Sequence, residues 1–232
     1  MLDELRTSFD DICIPSQAVE SLRTIISLRL LFPDAFRQGV LERESIGGVL
    51  LFGPPGTGKT MLCRAVAREC GACMLHIKPS DVLDCYVGES EKLIRAIFSI
   101  AYRLSPCLIF IDEVDSCFQA RKSDDKKWVR DMISEFLQSM DGLRTGENNK
   151  GVIVIGATNR PQDIDEAVLR RLPSRMMIDL PGVNERKKIL ALHLRGEKLD
   201  DSLRLEDIAS RTTNYSGSDL KSKLPAIAET VL

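Results

Sequence analysis

Val49-Leu-Leu-Phe-Gly53-Pro-Pro-Gly-Thr-Gly-Lys59-Thr60 decides the architecture. Four consecutive apolar residues have the length of a buried strand. The following G-x-x-x-x-G-K-[ST] turns directly into an amphipathic run, Thr60–Cys70, stopped by Gly71. Strand, glycine-rich turn and helix in that order make a phosphate cradle. Glycines let the backbone curl until its N–H groups converge on phosphate oxygens, and the helix N-terminus adds partial positive charge. The spacing predicts that Lys59 reaches β- and γ-phosphates and that the Thr60 hydroxyl binds Mg²⁺.

Outward from the cradle, apolar runs of strand length alternate with segments of helix length. Strands are expected at Val49–Phe52, Met74–Ile77, Leu108–Ile111, Val152–Ile155 and Met176–Leu180. Most are almost purely apolar, which fits strands covered on both faces. The expected fold is therefore α/β, a parallel sheet sandwiched by helices. Helices are expected over Thr60–Cys70, Ser90–Leu104 and Lys127–Met140, and Gly142–Gly151 reads as a solvated loop. After Pro181-Gly182 the pattern turns all-helical, with helices expected at Asn184–Arg195, Arg204–Arg211 and from Ser218 onward. This predicts a large domain, 1–182, and a smaller helical lid, 183–232. Pro225 is expected to kink or stop the last helix, which leaves the lid reading as incomplete at its C-terminus.

Composition narrows the function classes. Lys and Arg number 32 against 34 Asp and Glu, a net charge of -2, which argues against a nucleic-acid partner held by bulk electrostatics. Seven cysteines without a framework rhythm, several inside apolar runs, fit a reducing compartment such as the cytosol. Cys70-Gly-Ala-Cys73 is a CxxC without a second pair or a histidine at ligand spacing, so it reads as structural. No apolar stretch has membrane-spanning length and there is no signal-peptide pattern; an anchor outside the chain is an open possibility.

Two further strand ends supply chemistry. Cys107-Leu-Ile-Phe-Ile-Asp112-Glu113 is an apolar strand ending in two acids. Asp112 beside the cradle suits a Mg²⁺ ligand, and Glu113 is placed to activate the attacking water. Val152–Ile155 is followed by Gly-Ala-Thr-Asn159-Arg-Pro161, where Asn159 either orients that water or the γ-phosphate, or simply caps a turn.

In this order the three elements resemble the AAA family of ATPases, and the resemblance runs from about Phe9 to Leu220. Its motifs include Phe9-Asp-Asp-Ile12, Tyr86-Val-Gly-Glu-Ser-Glu-Lys92, Ile111-Asp-Glu-Val-Asp115, Gly156-Ala-Thr-Asn-Arg-Pro161, Asp165-Glu-Ala-Val-Leu-Arg-Arg171 and Tyr215-Ser-Gly-Ser-Asp219. The chain is most similar to the clade of katanin, spastin and the mitochondrial outer-membrane extracting ATPases, which include thorase. Leu172-Pro173 after the arginine pair points to the extracting group.

The resemblance implies a P-loop NTPase that uses ATP and Mg²⁺. Its nucleotide-binding set would be Ile12, Gly53, Pro54, Pro55, Gly56, Thr57, Gly58, Lys59, Thr60, Met61, Asp112, His193, Gly217 and Ser218, with Thr60 and Asp112 on the metal. Arg170 and Arg171 would be arginine fingers serving a neighbouring protomer in a homo-oligomer, a hexamer when active. Tyr86 and Val87 would form a pore loop that grips a polypeptide client. Clients would include mislocalised tail-anchored proteins at the mitochondrial or peroxisomal surface, with microtubule severing or a scaffold-like switch as alternatives.

Four features depart from the family pattern or carry a second reading. Cys85 stands where a basic residue usually precedes the pore aromatic, and Cys13 where a glycine usually follows Ile12. His193 reads equally as a surface histidine. Trp128 reads either as part of a second pore loop or as a buried anchor for its helix.

Overall fold

The computed structural model describes residues 12–32, 47–83, 89–120, 127–143, 151–196 and 204–231. Tyr86, Val87 and Cys85 lie outside the described residues, as do Phe9–Asp11 of the first motif.

Five strands form the sheet: β1 (Gly48–Phe52), β2 (Cys73–Ile77), β3 (Cys107–Ile111), β4 (Val152–Thr158) and β5 (Ser174–Met177). They lie in the order β2-β3-β4-β1-β5 and pair in parallel throughout. Parallel pairing needs crossovers that place helices on the faces. The large part of the chain supplies α1 (Ser16–Leu31), α2 (Lys59–Glu69), α3 (Pro79–Leu83), α4 (Glu89–Arg103), α5 (Val114–Cys117), α6 (Lys127–Gly142) and α7 (Glu166–Arg171). The helices α8 (Val183–His193), α9 (Leu205–Arg211) and α10 (Gly217–Val231) follow without another strand among the described residues.

Alternation along the strands divides the core in two. Ile109, Ile111, Val152 and Val154 face Phe98 of α4 and Phe136 of α6. Leu108, Phe110, Ile153 and Ile155 face Leu22 and Ile26 of α1 with Leu62 and Val66 of α2. Both faces of β1, β3 and β4 are covered, so these three strands carry no polar alternate before Thr158. A third, small cluster of Leu190, Ala209 and Leu220 joins α8, α9 and α10.

Register matters most at the carboxyl edge. Phe52 pairs with Thr158 and Met177, and Ile111 pairs with Ile77 and Gly156. Gly53, Asp112 and Asn159, each the next residue or two along, therefore emerge on one edge of the sheet, where ligands bind in open α/β folds.

The expected elements differ in a few places. The last strand runs Ser174–Met177 rather than Met176–Leu180, because an edge strand exposes alternate residues and tolerates Ser174 and Arg175. Ile178 still donates to Phe52 O at 2.8 Å. Pro225 does not stop the last helix, which continues to Val231. A proline there removes a single backbone bond from a helix that extends well to either side. α1 was not expected from the pattern, since Pro15 precedes it and no side chain caps it. Trp128 packs against the first core cluster, which favours the anchor reading.

Candidate functional site

The cradle begins where β1 ends. Gly56 adopts φ 73° and Gly58 φ 90°, a left-handed region that side chains rarely enter. Gly56 is also crowded: an added Cβ would lie 2.7 Å from Ser216 Oγ and 2.9 Å from Ser218 Cβ. Gly58, which caps α2, has open space, its nearest neighbour being Ile14 Cδ1 at 3.7 Å.

Lys59 sits at the base of this curl and is only 8% exposed. Its Nζ donates to Gly53 O at 3.0 Å, Pro54 O at 2.7 Å and Asn159 Oδ1 at 2.8 Å. Burial pushes its ammonium below the ordinary value, and the charge of Asp112 opposes that shift. The Asn159 contact ties α2 to the end of β4 across 100 residues of sequence.

Thr60 Oγ1 donates to Asp112 Oδ2 at 3.2 Å, and Asp112 Oδ1 accepts from the Glu113 N–H at 3.1 Å. Glu113 has φ 46°, a conformation rare outside glycine, and its side chain is exposed. Strain of this kind gathers at functional sites. Thr158 Oγ1 donates to Asp115 Oδ1 at 2.5 Å and accepts from the Arg160 N–H at 2.8 Å, which fixes the backbone on both sides of Asn159.

These groups open into a cleft of about 570 Å³. The cradle contributes Pro55, Gly56, Thr57, Gly58, Lys59, Thr60 and Met61; the sheet edge contributes Asp112, Glu113 and Asn159. Ile12 and Cys13 also line the cleft, with His193, Gly217 and Ser218 from the helical segment. Gly53 and Pro54 stand behind Lys59 and offer it their carbonyls. Burial and the nearby Lys221 push the His193 imidazole below its ordinary value. Lys221, Ile14, Pro15 and Asp179 also line the cleft and were not anticipated, because no local motif marks them.

The helical segment is fastened to the cradle through backbone. Ser218 N–H donates to Gly56 O at 3.3 Å. Ser216 and Asp219 cap α10 reciprocally, Ser216 N–H to Asp219 Oδ2 at 2.9 Å and Asp219 N–H to Ser216 Oγ at 3.2 Å. Buried Arg186 donates to Pro181 O at 2.8 Å and to Ala209 O at 2.7 and 2.9 Å, joining the connection after the sheet to α9.

Arg170 and Arg171 do not line this cleft. Arg170 is exposed and pairs with Glu166 one turn away at 2.7 Å. Arg171 holds Asp141, at the end of α6, through Nε at 3.1 Å and a terminal nitrogen at 2.8 Å. Asp141 is a partner that no local motif marked.

No cluster of three or more His, Cys, Asp or Glu side chains arranged to hold a metal ion occurs among the described residues. Beside the cradle the side-chain oxygens of Thr60 and Asp112 face one another. Two hard oxygens already 3.2 Å apart fit Mg²⁺, which keeps several water or phosphate ligands. No described helix is long and apolar enough to cross a membrane.

The profile of the "ATPase family associated with various cellular activities (AAA)" matches residues 49–180, over half of the chain. The chain belongs to the AAA family of ATPases. Among curated relatives, the outer mitochondrial transmembrane helix translocase of Danio rerio is 47% identical over 217 residues, covering 94% of this AAA chain and 59% of that protein. The Homo sapiens protein of the same name is 46% identical over 217 residues, 94% of this chain and 60% of its own length. A katanin p60 ATPase-containing protein of Rattus norvegicus is 44% identical, over 91% of this chain and 44% of its own length. The chain thus spans 44% to 60% of the length of these relatives.

Proposed function

We propose that the chain is the ATP-hydrolysing core of a ring-forming protein translocase. The observation that carries the ATP-hydrolysing part of this reading is the double link at the cradle, Lys59 to Asn159 and Thr60 to Asp112. The three acceptors bonded to Lys59 Nζ are neutral, so an incoming polyphosphate exchanges them for charged, stronger ones. Backbone N–H groups of the cradle and the N-terminus of α2 hold the phosphates. Thr60 and Asp112 would hold Mg²⁺, which would supply neutralisation of the phosphate charge.

Glu113 accepts the proton of the water that attacks the γ-phosphorus, and the bond to the ADP oxygen breaks. The Asn159 amide, released from Lys59, orients that water or the γ-phosphate. Ile12, Met61, His193, Gly217 and Ser218 enclose the rest of the nucleotide, which makes 183–232 a lid on the 1–182 domain. Arg170 and Arg171 lie away from their own cleft, which supports a role at a neighbouring protomer's ATP in a homo-oligomer, a hexamer when active. Such fingers accelerate hydrolysis by about 10³–10⁵ in other NTPases.

The relatives' name supports clients that are membrane-inserted polypeptides at the mitochondrial outer membrane, with any anchor lying outside this chain. Tyr86 and Val87 would grip the client without selecting its side chains. The test is ATP turnover per protomer over a wide range of protein concentration, beside Glu113→Gln and Arg171→Ala. A steep rise lost in both variants is expected. Turnover independent of concentration contradicts shared active sites. Tyr86→Ala should hydrolyse ATP but fail to extract a tail-anchored protein, and persistent extraction would refute threading.

A further inference from the structure

We infer that His76 is a positioning residue for Asp112, a role that rests on the ATP-hydrolysis reading above. His76 pairs in register with Phe110 on the neighbouring strand. Side chains two apart on a strand share a face, so Phe110 and Asp112 project to the same side as His76, toward α2. The pairing continues past β3, since Asp112 N–H donates to Ile77 O at 3.0 Å. This fixes the Asp112 backbone one step beyond His76. The Phe110 ring packs on the imidazole, with ring centroids 5.3 Å apart and planes at 54°, and limits how far it can turn.

The imidazole presents Nε2 to the Asp112 carboxylate and does not itself line the cleft. Nε2 is shielded from solvent and has no hydrogen-bond partner. It lies 3.7 Å from Asp112 Oδ2, the oxygen that also accepts from Thr60 Oγ1. At 3.7 Å the contact is not yet a hydrogen bond; an approach of about 0.8 Å would make it one. With the ring proton on Nε2, a shielded donor facing a carboxylate oxygen gains by that movement. Thr60 is the hydroxyl expected to turn its oxygen to Mg²⁺. As it turns, Nε2–H takes up Oδ2 and keeps the carboxylate aimed at the cradle rather than free to rotate. His76 touches neither nucleotide nor metal; it acts through Asp112.

The test measures binding of a fluorescent ATP analogue to the full chain, in the Glu113→Gln background, while Mg²⁺ is titrated and again in EDTA. His76→Leu keeps the bulk and removes the donor; His76→Gln restores a nitrogen at about the reach of Nε2. His76→Leu should need about tenfold more Mg²⁺ for half-maximal tight binding, as for other residues that orient metal ligands. Affinity in EDTA should be unchanged, and His76→Gln should return most of the shift. Thermal melting of each variant accompanies the titration, so that loss of fold is seen separately. An unshifted Mg²⁺ midpoint in His76→Leu, equal shifts in the Leu and Gln variants, or a parallel loss of affinity in EDTA would each overturn the inference. Failure of the parent chain to hydrolyse ATP while still binding it in a Mg²⁺-dependent way would refute the hydrolysis reading and leave the His76 result readable.

Discussion

Replacing Gly56 by alanine separates two costs that the structure attaches to the cradle. Gly56 and Gly58 both have positive φ, so a side chain at either carries a backbone penalty of roughly 1–2 kcal/mol. Gly58→Ala should cost only that, since an added Cβ meets nothing closer than 3.7 Å. Gly56→Ala also drives a methyl group into Ser216 and Ser218 at 2.7 to 2.9 Å. Those residues begin α10, and Ser218 N–H bonds the Gly56 carbonyl. Overpacking of this kind adds roughly 1–3 kcal/mol. At about 2–4 °C per kcal/mol for a chain of this size, Gly58→Ala should lower the melting temperature by roughly 2–8 °C and Gly56→Ala by roughly 4–20 °C. The assay is thermal unfolding without nucleotide, followed by circular dichroism, with urea unfolding as a second measure. Ser218→Gly removes two of the three close contacts and should recover part of the Gly56→Ala loss in a double-mutant cycle. Equal losses at the two glycines, or no coupling to Ser218, would refute the claim that the helical segment is seated on the cradle.

Other outcomes follow from the same geometry. Arg186→Met removes three bonds to buried carbonyls and should destabilise the chain by about 2–4 kcal/mol, read as a fall in the urea midpoint. Arg171→Ala should lose both turnover and a little stability, about 0.5–1 kcal/mol for its partly exposed pair with Asp141, whereas Arg170→Ala should lose turnover with no change in melting. Alkylation at pH 8 followed by mass spectrometry should modify exposed Cys73 first among the described cysteines. Cys107, pushed up to about 11 by burial, and Cys117, pushed up to about 12, should stay unmodified until the fold opens.

The parts of this fold that were legible in the sequence are those written locally. The cradle, the two acids after β3 and Asn159 after β4 each follow an apolar strand, so one short window holds both the residue and the element that presents it. Contacts between distant windows were not legible: Asp141 holding Arg171, Arg186 reaching Ala209, and His76 beside Asp112 depend on how helices and strands pack. Only the parallel register puts His76 across from Phe110. β5 starts at Ser174 because an edge strand admits Ser174 and Arg175, polar residues that an apolar run does not contain. α1 carried a usable signal, Leu22, Ile26 and Leu30 four residues apart, but lacked a capping side chain to mark its start.

The most direct test of the proposed machine is to mix two inactive variants and measure ATP turnover. Lys59→Ala spoils the cradle but leaves Arg170 intact, while Arg170→Ala leaves the cradle intact but lacks the finger. If each site is completed by its neighbour, the mixture should regain turnover well above the sum of the two variants alone, because some interfaces then combine a sound cradle with a sound arginine. A mixture no more active than its components would contradict a site shared between protomers.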